Sequence, residues 1–192
     1  MAKFTHHQFN SAAEFKNECL KGSAIAPEFW GLAIDVIHEQ EINPLTHEIE
    51  ATPIHDALGW KYTRFVREIE DPLDAGAFLQ ADGTVHQLKL SRARLSKKRD
   101  KKTGKLKPVK YDTQIGNGSL AFLPAVPETA QRRILDRADW TKIETVPPAQ
   151  WWDLVADCPD LPTVITEGDK TGLSGLSHRL TTIDQTGVSG GS

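Results

Sequence analysis

The stretch TVITEGDKTGLSGLSHRL, Thr163 to Leu180, sets the fold class of the chain's last third. A short apolar run with β-branched residues gives a strand, an acid closes it, a glycine follows, and a helix-like run begins. TTIDQTG comes next as a second strand or loop, so strand, helix and strand occupy about 25 residues, the opening of a βαβ unit with a parallel sheet. In parallel sheets, groups at the carboxyl ends of strands face the crevice where ligands bind. Glu167 occupies that position, and Gly168 after it lets backbone come close. A carboxylate there suits holding a divalent cation or moving a proton in phosphoryl chemistry; it equally suits a plain helix cap. Asp169 and Lys170 fall in the first helical turn, where Asp169 complements the helix dipole. Gly172 and Gly175 weaken the expected helix.

Upstream, AQWWDLVADC is a short amphipathic helix stopped by Pro159, and Pro147-Pro148 is the best linker candidate. PETAQRRILDRADW is a further helix with Pro127 at its start. Near the N-terminus, Ser11 caps a helix with Ala12, Phe15, Cys19 and Leu20 at helical spacing, ended by Gly22. A second helix is expected from Pro27, with Phe29, Trp30, Ala33, Ile34 and Ile37 near one stripe. IHDALGW is a short helix ended by Gly59. Strand patterns occupy YTRFV, AGAFLQ, TVHQLKL and SLAFLPAV, and the Asp-Gly signal in ADGT predicts a β-hairpin over Ala77 to Leu90. His38, His47 and His55 match no metal-site spacing and are expected as surface or capping residues. The terminal GVSGGS lacks the Lys and spacing of a phosphate-cradling loop, so a turn is the expectation.

The 192-residue chain is 39% apolar and 26% charged, the profile of a globular protein. No apolar run approaches the ~20 residues needed to span a bilayer. MAKFTHHQFN does not have the form of a signal peptide, and Cys19 and Cys158 are expected as reduced thiols in a cytoplasmic protein. The net charge of −3 conceals an asymmetry: from Lys89 to Lys110 eleven Lys and Arg face one acid, Asp100, a balance of +10 that leaves −13 for the rest. Such a density of charge is solvated or meets a polyanion. Lys89, Arg92, Arg94, Lys97, Lys98, Arg99, Lys101, Lys102, Lys105, Lys107 and Lys110 are therefore the candidate nucleic-acid contacts. The alternative is a soluble, extended loop at a hairpin tip. Only Tyr111 lies near enough to stack on a base.

VITEGDK, a helix and then GVSGG resemble a TOPRIM-like domain of unknown function found in cyanobacterial plasmid replication proteins, where it is joined to a helicase-like region. Thr166, Glu167, Gly168, Lys170, Gly187, Val188, Gly190 and Gly191 match its pattern. PIHDALGWKYTRF, QLKLSRAR, GKLKPVKYDTQIGNGSLAFLPAVP and RRI resemble the segment that precedes the domain, so the likeness runs from about Ala24 to Gly191. The resemblance implies DNA replication and Mg²⁺-dependent nucleotidyl transfer or strand cleavage. Glu167 takes the place of the general acid or base and possible metal ligand, with Lys170 beside it. The family's later Asp-Xaa-Asp pair has no counterpart, because Asp184 comes too early and lacks a partner two residues on.

The expected fold class is thus an α+β N-terminal region, residues 1–146, with a small antiparallel sheet and a basic hairpin loop. An incomplete α/β TOPRIM-like βαβ unit, residues 149–192, follows it. The expected function is DNA binding as a fragment of a plasmid replication protein, inactive by itself, with replication proteins or a helicase-like region as partners and no membrane. Mg²⁺ is expected in a complete domain and no cofactor in this chain. The alternatives are an Mg²⁺-dependent nuclease or nucleotidyl-transfer enzyme completed by oligomerisation, and a protein-interaction adaptor. Two strands without the rest of their sheet would leave open edges, so the tail after about Pro148 is expected to be poorly ordered in isolation.

Overall fold

The computed structural model describes residues 4–61, 71–116 and 120–185. The expected strand in YTRFV and the terminal GVSGGS lie outside the described residues. The architecture is mixed α and β, with small antiparallel sheets, and the chain divides into two compact units. The first unit takes in residues 1–15, 36–77 and 87–116, and the second residues 16–35, 78–86 and 117–192. Pro147 and Pro148 lie inside the second.

The N-terminal strand β1 (Phe4–His7) leads into helix α1 (Ala12–Asn17), which runs on into a π-helical turn, Glu18–Gly22. Ser11 caps α1 as its sequence predicts: its hydroxyl accepts the Glu14 amide at 3.2 Å, while the Glu14 carboxylate accepts the Asn10 amide at 2.7 Å. The helix expected from Pro27 does not form. Pro27–Phe29 is one 3₁₀ turn, Gly31 adopts φ 78°, and Ile34–His38 is strand β2. The left-handed glycine breaks the helical path, and β-branched Ile34, Val36 and Ile37 then suit a strand. Phe29, Ala33 and Ile34 are buried all the same.

Strands β3 (Glu41–Ile42) and β4 (Ile49–Ala51) pair around the Asn43-Pro44 turn, and α2 (Pro53–Leu58) ends at Gly59 in the left-handed conformation. Strands β5 (Asp74–Leu79) and β6 (Val85–Leu90) form the expected hairpin, its turn held by Asp82 accepting the Thr84 amide at 2.9 Å. Strands β7 (Arg92–Arg99) and β8 (Leu106–Val109) follow, and β1 pairs with β7 on the other side. In the first unit Phe9 and Phe15 pack with tilted rings 5.2 Å apart, and the Phe15 ring lies over Gly76, where an added Cβ would come within 2.1 Å of it. Buried Glu39 accepts the Leu73 amide at 2.8 Å and faces His55 at 3.0 Å; His38 faces Asp74 at 2.7 Å.

The second unit contains β9 (Ala121–Phe122), α3 (Glu128–Arg137), α4 (Trp151–Asp157), β10 (Thr163–Glu167), α5 (Asp169–Ser177) and β11 (Thr181–Gln185). Strands β10 and β11 are parallel, in register from Thr163 opposite Thr181 to Glu167 opposite Gln185. The βαβ reading of the sequence is correct, but β11 is a central strand rather than an open one. Its second neighbour is antiparallel β9, with Phe122 opposite Asp184. The expectation of an unsupported tail does not take account of this strand, which comes from some sixty residues before β11. Gly172 and Gly175 have a packing role: a Cβ at Gly175 would meet the Thr182 methyl at 2.4 Å, and one at Gly172 the Asp184 Cβ at 3.2 Å. What weakens α5 as a helix lets it lie close on β11. Fully buried Gln131 ties α3 to the segment before it through Val126 and to the segment after it through Val146. No helix among the described residues is long and apolar enough to cross a membrane.

Candidate functional site: a cationic ribbon and a buried carboxyl pair

The basic run of the first unit is a two-stranded ribbon, β7 and β8, rather than an irregular loop at the tip of the preceding hairpin. Its one acid organises the turn. Asp100 Oδ1 accepts the amides of Lys102 and Thr103, each at 2.9 Å, and the Thr103 hydroxyl at 3.2 Å. The Asp100 and Lys105 backbones close the turn at 2.7 Å, and Gly104 takes φ 66°. The Thr103 and Lys102 amides, with the Lys107 ammonium at 3.3 Å, hold the Asp100 carboxyl down at about 2. A local pattern of Asp followed by donors at the second and third positions makes an Asx turn, so this tip has a defined shape.

The structure sorts the eleven candidate cations. Lys89 is only 9% exposed. Arg92 is paired with Asp71, and Arg94 with buried Asp112 through Nε at 3.0 Å and Nη2. These three serve the body of the unit. Arg99 donates to the Gly104 carbonyl at 2.9 Å and so belongs to the turn while remaining exposed. Lys97, Lys98, Lys101, Lys102, Lys105, Lys107 and Lys110 are exposed. Of these, only Lys107 forms an ion pair among the described residues. The candidate contacts thus concentrate at the outer half of the ribbon.

In the second unit, Glu167 is exposed at the carboxyl end of β10, the position its sequence predicts. Gly168, at φ 97°, carries the chain into α5. The Lys170 ammonium is paired with the Glu18 carboxylate. Among the described residues no three His, Cys, Asp or Glu side chains gather as metal ligands, so Glu167, the candidate Mg²⁺ ligand, belongs to no such group there. A cleft of about 460 Å³ opens beside β10, lined by Val164, Thr166, Lys170, Ser174, His178 and Thr182 among others. Glu167 is not among its lining residues.

A cluster unforeseen from the sequence lies beneath this surface. His86, Asp169 and Asp184 are 7%, 2% and 0% exposed. His86 Nδ1 is 3.1 Å from Asp169 Oδ2, its Nε2 is 3.2 Å from the Leu120 carbonyl, and its ring stacks on Phe122 at 5.0 Å. A carbonyl only accepts, so Nε2 carries a proton. Burial disfavours the imidazolium, but the hydrogen bond and charge of Asp169 outweigh it, and the His86 pKa is raised. For Asp184, burial first and then the Asp169 carboxyl push its pKa up to about 7. Neither Asp184 oxygen nor Asp169 Oδ1 makes a hydrogen bond of good geometry among the described residues, although the Gly168 amide lies near enough to Asp184 to offset part of its rise. The dry setting and the neighbouring Asp169 carboxyl thus both favour the neutral form of Asp184. An acid at an inward position of a strand, in TTID, is the one sequence signal that points here. His86 gives none, since its partners arrive from α5 and β9.

Comparison of the chain with protein-family models, with curated proteins and with solved structures finds no match in any of the three. The functional reading therefore rests on the residues themselves.

Proposed function

We propose that this chain binds DNA as part of a plasmid-type replication protein, holding the phosphate backbone on the β7–β8 ribbon. In this reading β10–α5–β11 is the opening of a TOPRIM-like domain that does no chemistry by itself, and the partners are a helicase-like region and other replication proteins in the cytoplasm. One observation carries the DNA-binding part: Lys97, Lys98, Lys101, Lys102, Lys105 and Lys107 are all exposed on one short ribbon whose turn is built. Phosphate contacts by such lysines release counterions, giving binding that is strongly salt-dependent and indifferent to sequence. The TOPRIM-like part draws support from the parallel pairing of β10 with β11 and from Glu167 at the end of its strand. Chemistry at Mg²⁺ would need ligands beyond those the described residues gather.

The test is DNA affinity against salt for the wild type and for a variant with Lys97, Lys98, Lys101, Lys102 and Lys105 changed to Ser. Arg99 is kept because it holds the turn. The expected result is a steep log–log dependence whose slope falls by about 0.9 for each phosphate contact removed. Equal binding by the two proteins would exclude the ribbon and favour an adaptor role. Mg²⁺-dependent cleavage abolished by Glu167→Gln would instead favour the enzyme.

A further inference from the structure

One acid stands inside the cationic run, and its contacts give it a part in binding that its charge alone would deny it. Asp100 Oδ1 accepts the amides of Lys102 and Thr103 and the Thr103 hydroxyl. The Asp100 backbone closes the turn as well: its amide donates to the Lys105 carbonyl at 2.7 Å, and its carbonyl accepts the Gly104 amide at 2.8 Å. The second carboxylate oxygen, Oδ2, lies 3.3 Å from the Lys107 ammonium. Arg99 donates to the Gly104 carbonyl at 2.9 Å, and the Lys105 amide to the Thr103 hydroxyl at 3.4 Å. The backbone from Asp100 to Lys105 is therefore fixed by its own polar groups. Residues 101–105 are exposed and include no apolar side chain, so this order adds nothing to the core of the unit. What it does fix is the position of Lys101, Lys102 and Lys105 relative to one another.

In an element that meets phosphates, an acid at this place is a cost. The Asp100 carboxyl is held down at about 2, so its negative charge is present throughout the neutral range, beside the lysines that would meet the polyanion. Such a charge is tolerable where the shape it imposes helps binding more than the charge hinders it. A flexible loop has to be ordered as it meets its ligand, which weakens binding by roughly fivefold or more for each residue whose backbone is fixed. In this turn that ordering precedes the ligand. We propose that Asp100 is a positioning residue for phosphate binding, which presets through Oδ1 the turn that carries Lys101, Lys102 and Lys105 and so strengthens the hold on DNA although its own charge opposes it. This rests on the DNA-binding function proposed above. Shape and charge give opposite signs for one substitution, so the two are separable. Loss of the acid from a ribbon that acts by charge alone tightens binding; loss of the acceptor from a preset turn weakens it.

The experiment titrates a labelled duplex DNA with the full chain and with Asp100→Ala and Asp100→Asn, at about 0.1 M and about 0.3 M salt, where phosphate contacts differ in strength. Circular dichroism checks the fold of each variant. Asp100→Ala removes both the charge and the acceptor, whereas Asp100→Asn removes the charge and keeps an oxygen that can accept the two amides. The expected result for Asp100→Ala is a loss of about fivefold or more, the cost of ordering at least one residue on binding. That loss should be alike at both salt concentrations, because ordering a backbone does not depend on ions. Asp100→Asn is expected to bind at least as tightly as the wild type, with a gain of up to about eightfold at 0.1 M salt, the value of one counterion. Binding by Asp100→Ala as tight as wild type or tighter overturns the proposal, since the run then acts by charge alone. An equal loss in both variants overturns it too, because the carboxylate then serves as a counter-charge to the lysines rather than as an acceptor. So does a loss in Asp100→Ala that disappears at the higher salt, which would mark a lost ionic contact. Absence of DNA binding by the wild type overturns the DNA-binding function itself, a result distinct from each of these.

Discussion

Like charges are brought together twice in this molecule, with opposite consequences. On the β7–β8 ribbon several lysines share a small area, and water and counterions keep each of them charged. Around β11, Asp169 and Asp184 lie together in a dry interior with His86, where lost hydration and repulsion favour a protonated Asp184. The first arrangement stores a field that a polyanion can relieve. The second stores a dependence on pH. Solvent access, rather than the number or sign of the charges, makes the difference.

The comparison is broken most severely by removing the one cation of the buried cluster. His86→Leu leaves two buried carboxyls without a positive partner and is expected to destabilise the second unit by about 3–5 kcal/mol at pH 8. The loss should be smaller at pH 5, where Asp184 takes up a proton. Urea unfolding at both pH values checks this, and an equal loss at both would show that the ring acts only by packing.

A smaller effect of opposite sign is expected from Asp184→Asn. The folded pKa of Asp184 is raised from 3.8 to about 7, so the folded state holds more protons than the unfolded one in that interval, and stability falls as pH rises through it. The raised His86 pKa acts in the same direction, its contribution being present below 6.5 and lost as pH passes the folded value. Wild-type stability should therefore drop from pH 5 to pH 8, by up to ~1.4 kcal/mol per pH unit for each proton of difference. The Asn variant, whose amide donates at every pH, should lose part of this slope and gain stability at pH 8. A wild-type stability that is flat over this range would remove the raised Asp184 pKa from the account.

The exposed member of the comparison is sharpened at Asp100. Its carboxyl is held at about 2, so the turn it organises should persist at pH 3, where an ordinary aspartate is mostly protonated, and open only as pH falls through 2. Asp100→Ala removes the acceptor for Lys102 and Thr103 and should speed amide exchange at both residues more than tenfold; Asp100→Asn should preserve most of the protection. The smallest effect belongs to a single lysine. Lys98→Gln should leave unfolding within about 0.5 kcal/mol of wild type and alter only the salt dependence of DNA affinity.

The places where a short segment decides the outcome were legible in the sequence. Asp82-Gly83 makes the β5–β6 turn, Gly59 ends α2, Ser11 and Glu14 start α1, and the strand–helix–strand order of β10, α5 and β11 follows from local pattern. The glycines of α5 show the limit of that reading. Taken alone they oppose a helix, yet Thr182 leaves no room for a side chain at Gly175, and Asp184 lies tight against Gly172. Likewise Pro27 and the apolar spacing after it favour a helix that Gly31 and the pairing of β2 forbid. Of the site residues, the cationic run stood out by charge density alone. Which of its members face solvent depends on Asp71, Asp112 and Asp100, which reach it from outside the run, from its far edge and from its centre.

Sequence by itself therefore determined the α and β composition, the main turns and caps, the strand ending at Glu167 and the basic stretch, because each depends on the conformational preferences and charges of residues within a few positions of one another. Tertiary structure alone decided that β9 pairs beside β11, that Lys97 and Lys98 are exposed while Arg92 and Arg94 are spent on partners, and that His86, Asp169 and Asp184 meet in one core. Those outcomes depend on burial and on neighbours far apart in the chain, and both come into being only when the backbone has folded.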